Sequence, residues 1–186
     1  MGTGIICLET EWKHTKAGNK RSLDSEPLLT FIGKAFNCNT IYRRIATKAE
    51  LQFYLNRFSL KAYENYSIFY LSFHGNTKAI QLEGDGEIKL CELSDLANGC
   101  FAGRYVHFSS CRTMLGSEQD LFRFKNDTGA KSISGYTKQV DCTLSAINDI
   151  AYFDQILKHS QRTDLAEHNM IKLYEGLGRE LGFKII

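Results

Sequence analysis

The sequence predicts a three-layer α/β fold: a mainly parallel sheet of five to six strands, helices on both faces, and a small β-hairpin after the third strand. Short apolar runs that are typical of buried parallel strands alternate with segments of helical spacing. Strands that alternate with helices form parallel sheets through crossover connections. The length of 186 residues suits one core, so residues 1–186 are expected to form a single domain.

The first half of the chain predicts three strands and two helices. The strands are expected at residues 4–9, 38–46 and 66–73. A helix over residues 25–36 has Pro27 in its first turn, where a missing N–H is tolerated. A second helix over residues 47–58 opens with the capping box formed by Thr47 and Glu50. The third strand is apolar on both faces and is therefore expected to be central.

The second half begins with a hairpin, because residues 79–90 alternate with a period of two around Gly84-Asp85-Gly86. Further strands are predicted at residues 104–110, 130–137 and, at the end of the chain, 182–186. Helices are predicted at residues 92–98, 115–124, 143–159 and from Asp164 through Leu181. The spacing of Asp164 and Glu167 indicates the start of the last helix.

Composition and charge exclude several classes of function. The chain is 43% hydrophobic and 24% charged, and its net charge of +2 gives no general case for nucleic-acid or membrane binding. The basic run over residues 13–21 favours a solvated loop, with a phosphate or partner contact as the alternative. No apolar window reaches about 18 residues, and the beginning of the sequence lacks a secretion signal, so we expect a cytoplasmic protein.

The six cysteines are scattered without C-x-x-C pairs, which disfavours disulfides and zinc sites. Five of them are expected to be reduced thiols with a structural role: Cys7, Cys38, Cys91, Cys100 and Cys142. No metal or cofactor is predicted.

Two of the apolar runs end on residues that could react together. The run YSIFYLSF (66–73) is followed by His74 and Gly75, and the run YVHFSS (105–110) is followed by Cys111. In open α/β sheets, functional groups gather beyond the carboxyl ends of the strands. If strands three and four are neighbours, His74 and Cys111 emerge at the same edge of the sheet.

A thiol becomes a strong nucleophile when it loses its proton, and the pKa of a free cysteine is about 8.5. The imidazole of His74 can take that proton and later protonate a leaving amine. The N–H groups of Gly75 and Cys111 are the predicted donors to an oxyanion. The alternative is that His74 and Cys111 are structural residues. His107 is expected to have a hydrogen-bonded structural role, and a metal site is disfavoured because the ligand spacing is absent.

This order of motifs resembles the caspase-like cysteine peptidases, which include caspases, metacaspases, separases and bacterial CHAT-type domains. The motifs are an apolar strand with His-Gly, a hairpin and short helix, and an apolar strand with Ser-Cys-Arg. The segment over residues 132–157 is most similar to the bacterial CHAT-like members. The resemblance implies that Cys111 is the nucleophile and that His74 is the general base and acid. The pattern SSCRT lacks the Gln of the caspase motif, which argues against caspase-style specificity for Asp.

The resemblance also implies a pocket for the residue before the cleaved bond, formed by the ends of strands one and four and the loop after strand five. Those places carry Glu9, Glu11, Ser109 and Asp141. Acidic groups there would favour an Arg or Lys side chain. For Asp141, an N-cap of the following helix is an equally good interpretation. Glu9 and Glu11 have the alternative of being solvated residues at a strand end.

The sequence therefore predicts a cytoplasmic cysteine endopeptidase acting on a protein substrate, with a role in bacterial defence or cell death implied by the resemblance alone. An activating protein partner, or self-association through the C-terminal edge strand, is part of this expectation. One alternative is a caspase-like scaffold without catalysis. Another is a flavodoxin-like binding domain, although a glycine-rich phosphate loop is missing after the first strand.

Overall fold

A computed structural model describes residues 4–10, 25–159 and 162–186. These residues form nine strands: β1 (Gly4–Thr10), β2 (Thr40–Ile45), β3 (Tyr66–Ser72), β4 (His74–Asn76), β5 (Ala79–Leu82), β6 (Gly86–Lys89), β7 (Tyr105–Ser109), β8 (Ser132–Tyr136) and β9 (Phe183–Ile185). They also form six α-helices: α1 (Ser25–Ala35), α2 (Lys48–Phe58), α3 (Leu90–Ala97), α4 (Glu118–Thr128), α5 (Cys142–Lys158) and α6 (Thr163–Leu181). A single 3-10 turn covers Lys61–Tyr63.

Six of the strands form the main sheet in the order β2-β1-β3-β7-β8-β9. The first five run parallel, and β9 pairs antiparallel with β8. The predicted α/β class, with a mostly parallel sheet, is confirmed, and so is the central position of the third strand. The order reverses between β1 and β3, and ligand sites of open α/β sheets lie outside such a reversal point.

Helices cover both faces of the sheet because side chains on successive strand residues point to opposite faces. On one face, α2, α3 and α4 bury Leu51, Leu93 and Phe124 against strand residues such as Phe69 and Val106. On the other face, the buried residues of α1, α5 and α6 include Leu29, Phe153 and Met170. Each central strand is thus apolar on both sides, which explains its continuous apolar sequence.

A three-stranded sheet in the order β4-β5-β6 follows β3. The hairpin of β5 and β6 is confirmed, whereas β4 was not predicted, since three residues are too short to show a period. In β4, His74 pairs with Gln81 and Gly75 pairs with Ile80. The hairpin therefore binds the backbone of the histidine and glycine directly.

The ends of the helices agree with the sequence in one case and differ in another. Thr47 caps α2, and the full capping box with Glu50 is present. At α6 the predicted start agrees to within one residue, since the helix begins at Thr163, but the preceding Arg162 makes no side-chain cap. Asp164 instead forms an ion pair with Arg162, at 2.8 Å between Oδ2 and Nη2.

In the part of the chain that the structure describes, no helix is long and apolar enough to cross a membrane.

Candidate active site

The strands that carry the predicted reactive residues are neighbours in the sheet. β3 and β7 pair in parallel, and Ser72 is the register partner of Ser109. His74 lies two residues beyond Ser72, and Cys111 lies two residues beyond Ser109. The side-by-side strands that the sequence argument required are therefore present.

Gly75 lies directly against the backbone of Cys111. A Cβ atom added at Gly75 would stand 2.9 Å from the Cys111 nitrogen, still closer to the Cys111 carbonyl oxygen, and 2.6 Å from Oγ1 of Thr113. No ordinary side chain fits in that space. The structure thus brings together the two residues predicted to donate N–H groups to an oxyanion, and the reason for a glycine here is close approach.

The turn after β7 is tied to the hairpin on one side. The Thr113 hydroxyl donates to the carbonyl oxygen of Ala79 at 3.0 Å, and it lies 2.7 Å from the Ser110 hydroxyl. Both hydroxyls are buried. Because Ala79 pairs with Asn76 in the small sheet, these bonds connect the turn that carries Cys111 with the strand that carries His74.

On its other side the turn is bonded to the segment after β8. The Arg112 N–H donates to the carbonyl oxygen of Lys138 at 3.0 Å, and the Met114 N–H donates to that of Tyr136 at 3.1 Å. The Val140 N–H points to Sγ of Cys111, at 3.5 Å. Arg112 has a φ of 60°, a left-handed conformation that non-glycine residues adopt at a cost. Cys111 therefore sits at the start of a turn whose backbone is hydrogen-bonded on both sides.

The exposure of the predicted pair is compatible with access from solvent, since His74 is exposed and Cys111 is partly exposed. Cys142, at the start of α5, is also exposed. Burial, followed by the charges of Asp141 and Cys111, raises the pKa of the Cys142 thiol. Of the five cysteines expected to be reduced thiols with a structural role, Cys7, Cys38 and Cys100 are buried, whereas Cys91 and Cys142 are exposed.

A buried polar cluster lies below the turn, and its centre, Asp149, is not among the site residues predicted from the sequence. The Asp149 carboxylate accepts hydrogen bonds from Tyr70 and Ser109, both at 2.8 Å, from Nε2 of His107 at 2.7 Å, and from the Tyr136 hydroxyl. The side chains of Asp149 and His107 are fully buried. The predicted hydrogen-bonded structural role of His107 is confirmed.

The charge state of Asp149 follows from these contacts. Burial alone raises the pKa of Asp149, but the electrostatic attraction of His107 and the hydrogen bonds from His107, Tyr136 and Ser109 outweigh burial and hold the pKa below its ordinary value. Asp149 is thus an ionised carboxylate inside the protein. A signal for it exists in the sequence, because Ser145, Asn148 and Asp149 place polar groups on the buried face of α5.

Glu9 lies at the end of β1, beside Ser72 in the register. Its carboxylate is buried and accepts from the Ser25 backbone N–H at 3.1 Å, the Ser25 hydroxyl at 2.8 Å and the Ser72 hydroxyl at 3.1 Å, as well as from the Tyr42 hydroxyl. Glu9 is therefore not a solvated residue at a strand end.

The remaining predicted pocket residues take different places. Ser109 is partly exposed and donates to Asp149. Asp141 is the N-cap of α5, with its Oδ1 atom accepting from Thr143 and Leu144 at 2.9 and 3.0 Å. The N-cap interpretation is confirmed, and its role in a pocket stays a prediction. Glu11 lies outside the described residues.

Among the described residues, no group of three or more His, Cys, Asp or Glu side chains is arranged to hold a metal ion. What the structure brings together at this rim is the backbone of Gly75, which follows His74, and the backbone of Cys111.

A comparison with known families gives a match over nearly the whole chain. The sequence fits a family of unknown function, DUF6642, over residues 3–186. The chain belongs to this family. A search of curated proteins finds no match. Membership of DUF6642 carries no activity with it, so the function has to be argued from the site.

Proposed function

We propose that this DUF6642 protein is a cysteine endopeptidase of the caspase-like type that cleaves a protein substrate with a Cys111–His74 dyad. One observation carries the proposal. Two neighbouring parallel strands end in register, and the backbone of the residue after the histidine contacts the backbone of the cysteine.

The residues support the following reaction. His74 takes the proton of the Cys111 thiol, and the thiolate attacks the carbonyl carbon of the scissile peptide. The N–H groups of Gly75 and Cys111 donate to the oxyanion, which stabilises the tetrahedral intermediate by about 3 kcal/mol per donor. His74 then protonates the leaving amine as the C–N bond breaks. A water molecule, deprotonated by His74, hydrolyses the thioester and restores the thiol.

The proposed specificity is for a basic residue before the cleaved bond. It is supported by the buried carboxylate of Glu9, which accepts a hydrogen bond from the Ser72 hydroxyl. Ser72 is the register partner of Ser109 on the neighbouring strand. Asp141 and Glu11 remain part of the proposed acidic surroundings.

The proposal includes an activating partner or a second copy of the chain, within a bacterial defence or cell-death pathway. Within the described residues, β9 pairs only with β8 and forms the edge of the sheet. A cavity of about 680 Å³ lies between α6 and β9 and reaches Lys138. The Lys138 carbonyl oxygen accepts a hydrogen bond from the Arg112 N–H. A ligand in this cavity would therefore change the position of the turn that carries Cys111.

The test is a panel of fluorogenic peptides that differ in the residue before the cleaved bond. We expect peptides with Arg or Lys to be cleaved, and Cys111→Ala and His74→Ala each to remove cleavage while the thermal unfolding transition stays cooperative.

Two other exposed cysteines provide matched controls. Cys142→Ser and Cys91→Ser should retain cleavage, and a peptidyl electrophile should label the wild-type chain but not Cys111→Ala. Undiminished cleavage by Cys111→Ala would disprove the dyad. If Cys111 fails to react with the electrophile and no peptide is cleaved, the chain is a non-catalytic module.

A further inference from the structure

The hydroxyl group of Ser109 directs its proton to a buried carboxylate. The Asp149 carboxylate lies 2.8 Å from Oγ of Ser109 and carries no proton of its own, so Ser109 is the donor in this hydrogen bond. The Tyr70 hydroxyl lies 3.2 Å from Ser109 and 2.8 Å from Asp149, and it is a second hydroxyl donor to the Asp149 carboxylate. What Ser109 presents outward is an oxygen with lone pairs.

This polarity is enforced from inside the protein. Oδ2 of Asp149 accepts hydrogen bonds from the Ser109 and Tyr70 hydroxyls, and Oδ1 accepts hydrogen bonds from Nε2 of His107 and the Tyr136 hydroxyl. A carboxylate with four donors and no solvent contact has no reason to rotate or to become protonated near neutral pH. The proton of Ser109 therefore stays directed toward Asp149.

The neighbouring strand repeats the arrangement. Ser72, the register partner of Ser109, donates to Oε1 of Glu9 at 3.1 Å. Two serine oxygens at the same level of adjacent strands thus have their protons directed to buried carboxylates. Each serine stands two residues before a member of the proposed dyad, and Ser109 is the partly exposed one.

We infer that Asp149 is a positioning residue for substrate selection, which acts through Ser109 and makes the site accept a side chain that donates hydrogen bonds and carries positive charge. This inference rests on the proposed peptidase function. A basic side chain would satisfy the Ser109 lone pairs and lie near the negative charge of Asp149. An apolar side chain would desolvate the Ser109 oxygen without replacing its hydrogen bond, and a carboxylate would meet like charge.

Three peptides test the inference, identical except that the residue before the cleaved bond is Lys, norleucine or Glu. The wild-type chain should cleave the Lys peptide with a kcat/KM about ten to a hundred times that of the norleucine peptide, because a hydrogen bond to a charged group is lost in norleucine. In Ser109→Ala this ratio should fall about tenfold, because the kcat/KM of the Lys peptide should fall more than that of the norleucine peptide. A purely structural role of Ser109 would lower both values alike and leave the ratio unchanged.

Asp149→Asn supplies an independent variant with a different signature. The Asn amide group can donate to Ser109, which frees the Ser109 proton to point outward. The ratio of Lys to norleucine should fall, and cleavage of the Glu peptide should rise. Asp154→Asn is the matched control, since Asp154 lies on the same helix and pairs with Lys158 on the surface. It should retain the wild-type ratio.

The outcomes separate the inference from the proposed function. If Cys111-dependent cleavage is present but the wild-type chain does not distinguish Lys from norleucine, the inference is wrong. It is also wrong if Ser109→Ala folds, cleaves and keeps the wild-type ratio, a result that decides the matter even when Asp149→Asn fails to fold. If neither cleavage nor labelling of Cys111 by the peptidyl electrophile occurs, the proposed function fails and the inference fails with it.

Discussion

At the scale of single residues, the candidate site depends on the absence of a side chain at one position. Gly75 can follow His74 in β4 of the small sheet and still touch the Cys111 backbone, because nothing projects from its Cα atom. Thr113 closes the same gap from the other side, with its hydroxyl bound to Ala79. The spacing between the two halves of the site is thus determined by backbone contact.

We expect Gly75→Ala to lower the free energy of unfolding by about 1–3 kcal/mol, because the new methyl group overlaps the Cys111 backbone and the two segments must separate. The same separation should also lower the kcat/KM of peptide cleavage. Expressed as a free energy, this loss should be larger than the loss in the free energy of unfolding. Urea denaturation and kcat/KM measure the two effects. Gly176→Ala is the matched control, since a Cβ at Gly176 meets nothing within 4 Å and alanine favours the helix. An active, fully stable Gly75→Ala would show that the contact is not required.

At the scale of the elements, the ends of the helices show which local signals are reliable. Thr47 and Glu50 form their capping box within four residues, so the pattern alone was sufficient. Asp164 and Glu167 have the same spacing, but the Asp164 carboxylate pairs with Arg162 and the helix starts one residue earlier. A short pattern predicts a side-chain cap only when no nearby cation competes for the carboxylate.

Asp141 has a measurable role as the N-cap of α5. Asp141→Ala should lower the free energy of unfolding by about 1 kcal/mol, because the N–H groups of Thr143 and Leu144 lose their acceptor. Asp141→Asn should keep the stability of the wild-type chain, since asparagine caps helices about as well as aspartate. Thermal unfolding compares the two variants. Equal stability of Asp141→Ala and the wild-type chain would contradict the role in capping.

The substrate preference of the Asp141→Asn chain tests whether Asp141 lines the proposed substrate pocket. A loss of the preference for Lys over norleucine in this variant would assign Asp141 to the substrate surface, in addition to its role at the helix end.

At the scale of the whole molecule, the sheet encloses ionisable groups that tie three strands to α5. Burial, followed by the charge of Asp149, raises the pKa values of Tyr70 and Tyr136 well above the ordinary range for tyrosine. Burial also raises the pKa of the Cys100 thiol to about 12. All three groups remain protonated in the folded protein at pH values where the unfolded chain begins to lose those protons.

A group whose pKa is higher in the folded than in the unfolded protein contributes stability. This contribution is complete below the unfolded pKa and is lost as the pH rises. We therefore expect the free energy of unfolding to decline above about pH 8.5, where unfolded cysteines ionise, and more steeply above about pH 10, where unfolded tyrosines ionise. Each fully shifted group contributes a slope of about 1.4 kcal/mol per pH unit. Urea denaturation between pH 7 and 11 measures this slope.

Tyr70→Phe provides the control for the alkaline decline, because it removes one of the shifted groups. Its slope above pH 10 should be smaller than that of the wild-type chain. Equal slopes would contradict the assignment of the effect to Tyr70.

The fold could be predicted further than the site. The strands were visible because burial on both faces makes them continuously apolar, as in the run that ends at Ser72. His74 and Cys111 could be located because they follow such strands directly. β4 was missed because it is too short for a pattern, and Asp149 was missed because its helix is some 40 residues from Ser109 along the chain.

The sequence by itself determined which segments become strands and helices and which residue types stand where the strands end, since burial and local capping act within a few residues. Only the tertiary structure decided that β3 lies beside β7, that Gly75 touches Cys111, and that Asp149 receives the proton of Ser109. These contacts join residues that are distant in the chain. They arise from the packing of α5 on the sheet and from the hydrogen-bond demand of a buried charge, and the local sequence of α5 does not show which strand residues meet its buried polar groups.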